Sequence, residues 1–171
     1  SYSLSFETAG NTAMTVDESG ATARPLQPAF LAVPAAAQDN MASSAYVTTV
    51  LGTEVFDTGG DFTGNTFTAP VAGKYFLCAN LTVAAIDHDA TFYTQVAIQT
   101  SNKFNSENWS VQNFLDAEPD SFTYQLSGTF QLDASDTAYM TYRTTGPGAA
   151  QEDVYDSGNV EFTNFGGILM V

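Results

Sequence analysis

From Phe122 to Leu132 apolar and polar positions alternate in a single phase. Phe122, Tyr124, Leu126, Phe130 and Leu132 hold one parity, and Thr123, Gln125, Ser127, Thr129 and Gln131 hold the other. A period of two sustained this long predicts a strand with one buried face. Tyr75, Leu77, Ala79, Leu81 and Val83 repeat the pattern, as do Phe92, Val96 and Ile98. Ala138, Met140 and Tyr142 make a shorter run, and Val160, Phe162, Ile168 and Met170 end the chain. Turn chemistry separates these runs: Gly59-Gly60, Gly64-Asn65, Pro70 to Gly73, Gly146-Pro147-Gly148, and Asp156 to Asn159. Residues 35–45 could hold one helical turn, but they carry no sustained apolar stripe. Many strands at short spacing without helical periods predict an all-β sandwich or jelly roll.

Residues 1–28 follow a different pattern. Ser3-Leu4-Ser5-Phe6 alternates, and Ala13 to Val16 leads into the turn cluster Asp17-Glu18-Ser19-Gly20. Arg24-Pro25-Leu26-Gln27-Pro28 is an extended, proline-pinned hinge. A piece this short cannot build its own core and must be covered by partner chains or by the rest of the protein. It reads as a shaft end plus linker, and residues 29–171 as a single head domain.

The charge balance narrows the partners. Four basic residues stand against nineteen acidic ones, for a net charge of −15. That balance repels phosphate backbones and anionic lipid, so nucleic acid is not an expected partner. No apolar run is long enough to span a bilayer, so no membrane insertion is expected either. Divalent cations or a basic partner surface are favoured. Charged residues are only 13% of the chain, so its polar surface is built largely from Thr, Ser, Asn and Gln, as on many secreted and virion proteins. Cys78 is the lone cysteine, which rules out an intrachain disulfide, and its apolar strand context predicts a buried, inert thiol.

From Ala29 to Val171 the order of motifs resembles the C1q/tumour-necrosis-factor globular-head family. Ala29-Phe30-Leu31-Ala32-Val33 resembles the family's first strand, and Val55 to Phe62 its aromatic-Asp…Gly-x-Phe stretch. Phe67-Thr68-Ala69-Pro70-Val71-Ala72-Gly73-Lys74-Tyr75-Phe76 resembles the most specific family block. Phe130 to Met140 and Phe165-Gly166-Gly167-Ile168-Leu169 resemble later strands. The chain departs from the pattern at Ser135-Asp136, where the family has Gly-Asp, and at residues 101–120, which look like an insertion. The resemblance implies a ten-strand jelly-roll sandwich and a homotrimer. In such a trimer one side of each strand fills the core and the other the subunit interface, a use for twenty-two aromatic residues. The front piece is similar to the shaft–head junction of phage tail fibres, whose tips carry such heads.

Catalysis finds little support. His88 is the only histidine, in Asp87-His88-Asp89, with no Gly-x-Ser-x-Gly elbow to complete a triad. Calcium is the stronger chemical expectation, because hard cations take several oxygen ligands. With both termini at the shaft end and strand direction alternating, loops 85–91, 133–136 and 156–159 are expected to converge at the far tip. Asp87, Asp89, Asp133, Asp136 and Asp156 would then form a calcium site there. Trp109, Asn108 and Asn113, with His88, are the candidate ligand contacts, since an aromatic ring beside amides can hold a sugar. Trp109 packed into a trimer interface or strand edge is the plainer reading. By the same topology residues 101–120 are expected to lie toward the shaft end. Asn80-Leu81-Thr82 and Asn108-Trp109-Ser110 are formal glycosylation sequons.

These features predict a non-enzymatic, trimeric virion fibre head of a bacterial virus. It would bind a host surface glycan or protein and join other virion proteins through its N-terminal shaft. A secreted C1q-like adhesion or structural module of cellular origin is the alternative. Either reading places the chain on a virion surface or outside the cell.

Overall fold

The computed structural model describes residues 2–41, 44–110, 119–146, 152–155 and 162–170, with backbone only for Asn108 and Trp109. Among these residues every regular element is a strand. β1 (Leu4–Thr8), β2 (Asn11–Val16) and β3 (Thr22–Ala23) form a separate antiparallel sheet. None of their residues is fully buried.

The strands from β4 (Ala29–Val33) onward build a two-sheet sandwich. Its short strands are β5 (Val47–Thr48), β6 (Thr53–Asp57), β7 (Phe62–Thr63), β8 (Thr66–Thr68) and β14 (Asp153–Val154). Its longer ones are β9 (Gly73–Ala84), β10 (Tyr93–Thr100), β11 (Phe104–Trp109), β12 (Ser121–Leu132), β13 (Thr137–Thr145) and β15 (Asn164–Met170). One sheet has the order β11-β10-β13-β8-β7, with β5 also on β13; the other is β12-β9-β15-β4-β6, with β14 also on β9. They are called the β10 sheet and the β9 sheet below.

Alternation explains the core. Tyr75, Leu77, Ala79, Leu81 and Val83 of β9 are all fully buried, and across the ladder Tyr124, Leu126, Phe130 and Leu132 of β12 are buried too. Val96, Ile98, Ala138, Met140 and Tyr142 close the core from the β10 sheet. Phe30 stacks on Phe67 at 4.6 Å and on Phe62 at 5.2 Å between ring centroids, with Phe165 edge-on at 5.2 Å. These are the offset and edge geometries that aromatic quadrupoles favour. Gly64 (φ 56) and Asn65 (φ 67) form the two-residue turn between β7 and β8, where both positions need a positive φ.

The register fixes the two ends of the sandwich. The chain enters β4 beside the end of β15, where Leu169 N–H donates to Pro28 C=O. The Pro70–Gly73 turn and the 133–136 turn lie at this same end, joined by Ser135 N–H to Ala69 C=O and Ala69 N–H to Asp136 C=O. Residues 85–91 follow Ala84 at the opposite end of β9, eleven ladder positions away.

Four expectations need correction. Residues 35–41 form no helical turn; they pair Gln38 with Val154 and bury Met41. Residues 104–109 of the expected insertion are a paired edge strand, β11, on β10. Phe92 lies just before β10 and is exposed. In β15 the core parity is odd, with Phe165 buried and Leu169 packed on the core, whereas Ile168 and Met170 point outward.

Candidate functional site

The outer face of the β9 sheet is where this sandwich departs from an ordinary solvated surface. Ile168 of β15 sits opposite Phe76 of β9 on one side and Ala29 of β4 on the other. One step along, Gly166 lies between Cys78 and Leu31, and Leu31 pairs with Phe56 of β6. Phe76, Ile168, Met170 and Phe56 are each between 40% and 49% exposed, a connected apolar patch rather than scattered side chains. Around it, β12 presents Thr123, Gln125, Ser127, Thr129 and Gln131, and β9 presents Asn80. Among the outward positions of β4, β9, β12 and β15 the single charge is Lys74. Such a face matches the core of a protein interface, where charge is depleted and aromatic and Met side chains are enriched. Cys78 belongs to this outer row rather than to the core. It is half-buried, its Sγ lies 3.6 Å from Gly166 C=O, and burial pushes its thiol pKa up.

The predicted aspartate cluster is divided. Leu132 pairs with Gly73 and Ser121 with Ala84, so Asp133 and Asp136 lie at the chain-entry end and Asp87 and Asp89 at the opposite one. The expectation failed because β11 adds a strand and reverses the direction of β12 and β13. Each group has local partners. Asp87 Oδ1 accepts from Asp89 N–H (3.0 Å) and Ala90 N–H (2.9 Å). Asp136 Oδ2 accepts from Asp133 N–H (2.8 Å) and Asn102 Nδ2 (2.5 Å). Among the described residues no three acidic, His or Cys side chains are grouped as a metal site. His88 Nδ1 lies 3.2 Å from Asp89 Oδ1 on an exposed turn. Asp87 also lines a shallow cleft with Asp120, an acid that sequence reasoning had not linked to it. Asp156 and Asn113 lie outside the described residues.

Asn108 and Trp109 fall on β11, opposite Gln95 and Thr94. The strand runs back from the chain-entry end toward the far end, so residues 104–109 extend along β10 rather than staying at the shaft end.

Two clusters had no warning in the sequence. On the outer face of the β10 sheet, Arg143 lies over the rings of Tyr46 (5.2 Å) and Tyr93 (6.0 Å). Tyr46 meets Phe104 edge-on at 5.2 Å and donates its hydroxyl to Gln95 Oε1 at 3.0 Å. Inside the sandwich, Glu152 is fully buried. Tyr142 Oη donates to its Oε2 (2.5 Å), Thr94 Oγ1 lies 3.0 and 3.2 Å from its two oxygens, and Thr144 Oγ1 donates to Oε1 (3.3 Å). Burial raises the Glu152 pKa, and those hydroxyl hydrogen bonds only partly offset it. Burial likewise raises the pKa of Tyr142 and Tyr124, with the Glu152 charge adding to both.

No protein-family profile matches the chain, and no curated protein sequence does. Solved structures do resemble it. The globular domain of zebrafish complement 1qA protein superposes with a TM-score of 0.59 at 12% identity, covering 85% of this chain and 98% of that one. Murine APRIL at pH 8.0 gives 0.57 at 15% identity, covering 84% and 99%. Murine APRIL at pH 5.0 gives 0.55 at 14%, with the same coverage. The chain therefore has the all-β C1q/TNF-like jelly-roll fold. Identities this low establish the fold and nothing finer.

Proposed function

We propose that this chain is a homotrimeric, non-enzymatic head. It would be displayed on a virion surface at the end of a fibre, binding a host surface molecule and joining other virion proteins through residues 1–28. The observation that carries the trimer is the outer face of the β9 sheet. Phe76, Ile168, Met170 and Phe56 are half-exposed on a face where the outward positions of β4, β9, β12 and β15 carry one charge. Covering the exposed half of each is worth roughly 1 kcal/mol, since full burial of such a side chain contributes about 1.5–3 kcal/mol. A closed ring of three copies can cover that face on every protomer. The fully exposed strand β1, with Leu4 and Phe6 uncovered, and the partly buried β2 fit a shaft whose core is completed by the other chains. A head of this kind acts by shape and multivalency, three equal sites raising avidity.

A second reading, a secreted C1q-like adhesion or structural module of cellular origin, is favoured by the zebrafish and murine sources of the similar structures. The two readings share the trimer. Light scattering on the purified chain, with and without a calcium chelator, tests it. A mass of three chains in both conditions supports the head. A trimer that dissociates with chelator would make a bound cation part of the assembly. A monomer in both would refute the interface and with it the fibre assignment.

A further inference from the structure

We propose that the outer face of the β10 sheet, at Arg143, Tyr46, Tyr93, Phe104 and Gln95, binds a carboxylated sugar. The inference deepens the receptor-binding part of the function proposed above. It concerns the other sheet of the sandwich, which does not include the apolar β9 face.

The arrangement follows from strand register. Arg143 of β13 is directly opposite Gln95 of β10, so the two share one face. Tyr46 precedes β5, whose Val47 pairs with Tyr142, and this carries the Tyr46 ring onto the same surface beside Arg143. Phe104 enters from the edge strand to meet it. Tyr46 and Phe104 are 39% and 47% exposed, a corner of two rings rather than a buried pair.

The charge arrangement is unusual for this chain. Nineteen acidic residues compete for four basic ones, yet among the described residues no carboxylate lies within ion-pair distance of Arg143. Its Nε–H also has no acceptor among them. Its neighbours are two π-faces, which hold a guanidinium by cation–π attraction and leave its planar fork without an anion. A guanidinium fork matches a carboxylate in two parallel hydrogen bonds. The exposed rings offer what the apolar face of a pyranose stacks on. Gln95 accepts from Tyr46 with its carbonyl, which leaves its amide N–H groups as donors toward sugar hydroxyls. Neutral sugars would use only the rings and the amide. An acidic sugar uses all three elements.

Isothermal titration of the intact chain with a galacturonic acid trisaccharide, and with a galactose trisaccharide of the same linkage, tests the proposal. Light scattering on each sample reports assembly. The acidic probe is expected to bind at least ten-fold more tightly than the neutral one. Arg143→Gln should remove that preference, and Tyr46→Ala should weaken both probes. Arg143→Lys, which retains a charge without the fork, should fall between wild type and Arg143→Gln and serves as the control should Arg143→Gln unfold. Equal affinity for the two probes, unchanged binding by Arg143→Gln or Arg143→Lys, or no binding by a wild-type trimer would each overturn the inference. The last result leaves the trimeric head standing, whereas a monomeric wild type would refute the head and not this site.

Discussion

Replacing Glu152 with Gln tests whether the sandwich carries a carboxyl that prefers to be neutral. Glu152 is fully buried, and the groups packed on it are hydroxyls: Tyr142 and Thr144 from β13, Thr94 from β10, with Tyr124 of β12 close enough to feel its charge. No basic side chain is among these partners. Its pKa is therefore raised, first by desolvation, above the ordinary value of 4.5. Because the folded protein holds the proton more tightly than the unfolded chain, stability contributed by this group is complete below pH 4.5. It is lost as pH rises toward the folded pKa, at up to about 1.4 kcal/mol per pH unit. Above the folded pKa the loss is constant. Glu152→Gln retains the shape and one acceptor but cannot ionise. The variant should match wild type within about 1 kcal/mol at pH 4. It should then gain on wild type steadily as pH rises. Glu152→Ala should instead lose roughly 2–4 kcal/mol at pH 4, because three hydroxyls are left without their acceptor. Urea unfolding at fixed protomer concentration from pH 4 to 8 measures all three. The remaining titrating groups are common to all three proteins and cancel in the differences. Parallel profiles for wild type and Glu152→Gln would refute the reasoning.

Further predictions address assembly, packing and metal. Ile168→Glu places a charge at the centre of the apolar β9 face; it should yield a folded monomer by light scattering with a near-native circular dichroism spectrum. Gly167→Ala would bring a Cβ within 2.4 Å of Leu77 Cδ2 and 3.0 Å of Phe30 Cε1. Overpacking of that kind should cost about 1–3 kcal/mol and lower the thermal midpoint. Phe30→Ala removes the ring on which Phe62, Phe67 and Phe165 pack and should cost roughly 3–5 kcal/mol in chemical denaturation. Because the aspartates are split between the two ends, Asp133→Asn and Asp136→Asn should leave any calcium-induced thermal shift unchanged; a shift lost in either variant would place a cation at the chain-entry end.

The strands that were legible in the sequence are those with one apolar and one polar face. β9 and β12 alternate cleanly because one parity meets the core and the other carries Thr, Ser, Gln and Asn. β15 was legible as a strand but not in phase, because Phe165 and Leu169 point inward while Ile168 and Met170 point outward. Period-two reasoning has no signal when both parities are apolar. β11 was hidden for the opposite reason: Asn-Ser-Glu-Asn between two aromatics is an edge strand with little to bury. Missing that strand reversed the direction of the next loop, and the aspartates were then assigned to one end. Glu152 and Arg143 had no local signature. One is defined by hydroxyls from β10 and β13, the other by rings from a loop before β5 and from β10. Such partners are juxtaposed only by the cross-sheet register, which a single sequence does not display.

The position of β4 also determines how the molecule meets mechanical load. β4 is the first strand of the sandwich and lies in its interior, hydrogen-bonded to β15 on one side and β6 on the other. A pull transmitted through residues 1–28 therefore enters along the strand axis, perpendicular to both ladders. Its hydrogen bonds are strained together in shear, rather than opened one after another as at a peeled edge. The Phe30 ring, anchored between Phe67 and Phe165, must leave its packing in the same event. Extraction of β4 would thus be the main resistance to force, and the sandwich would yield in one step rather than fraying from its tether.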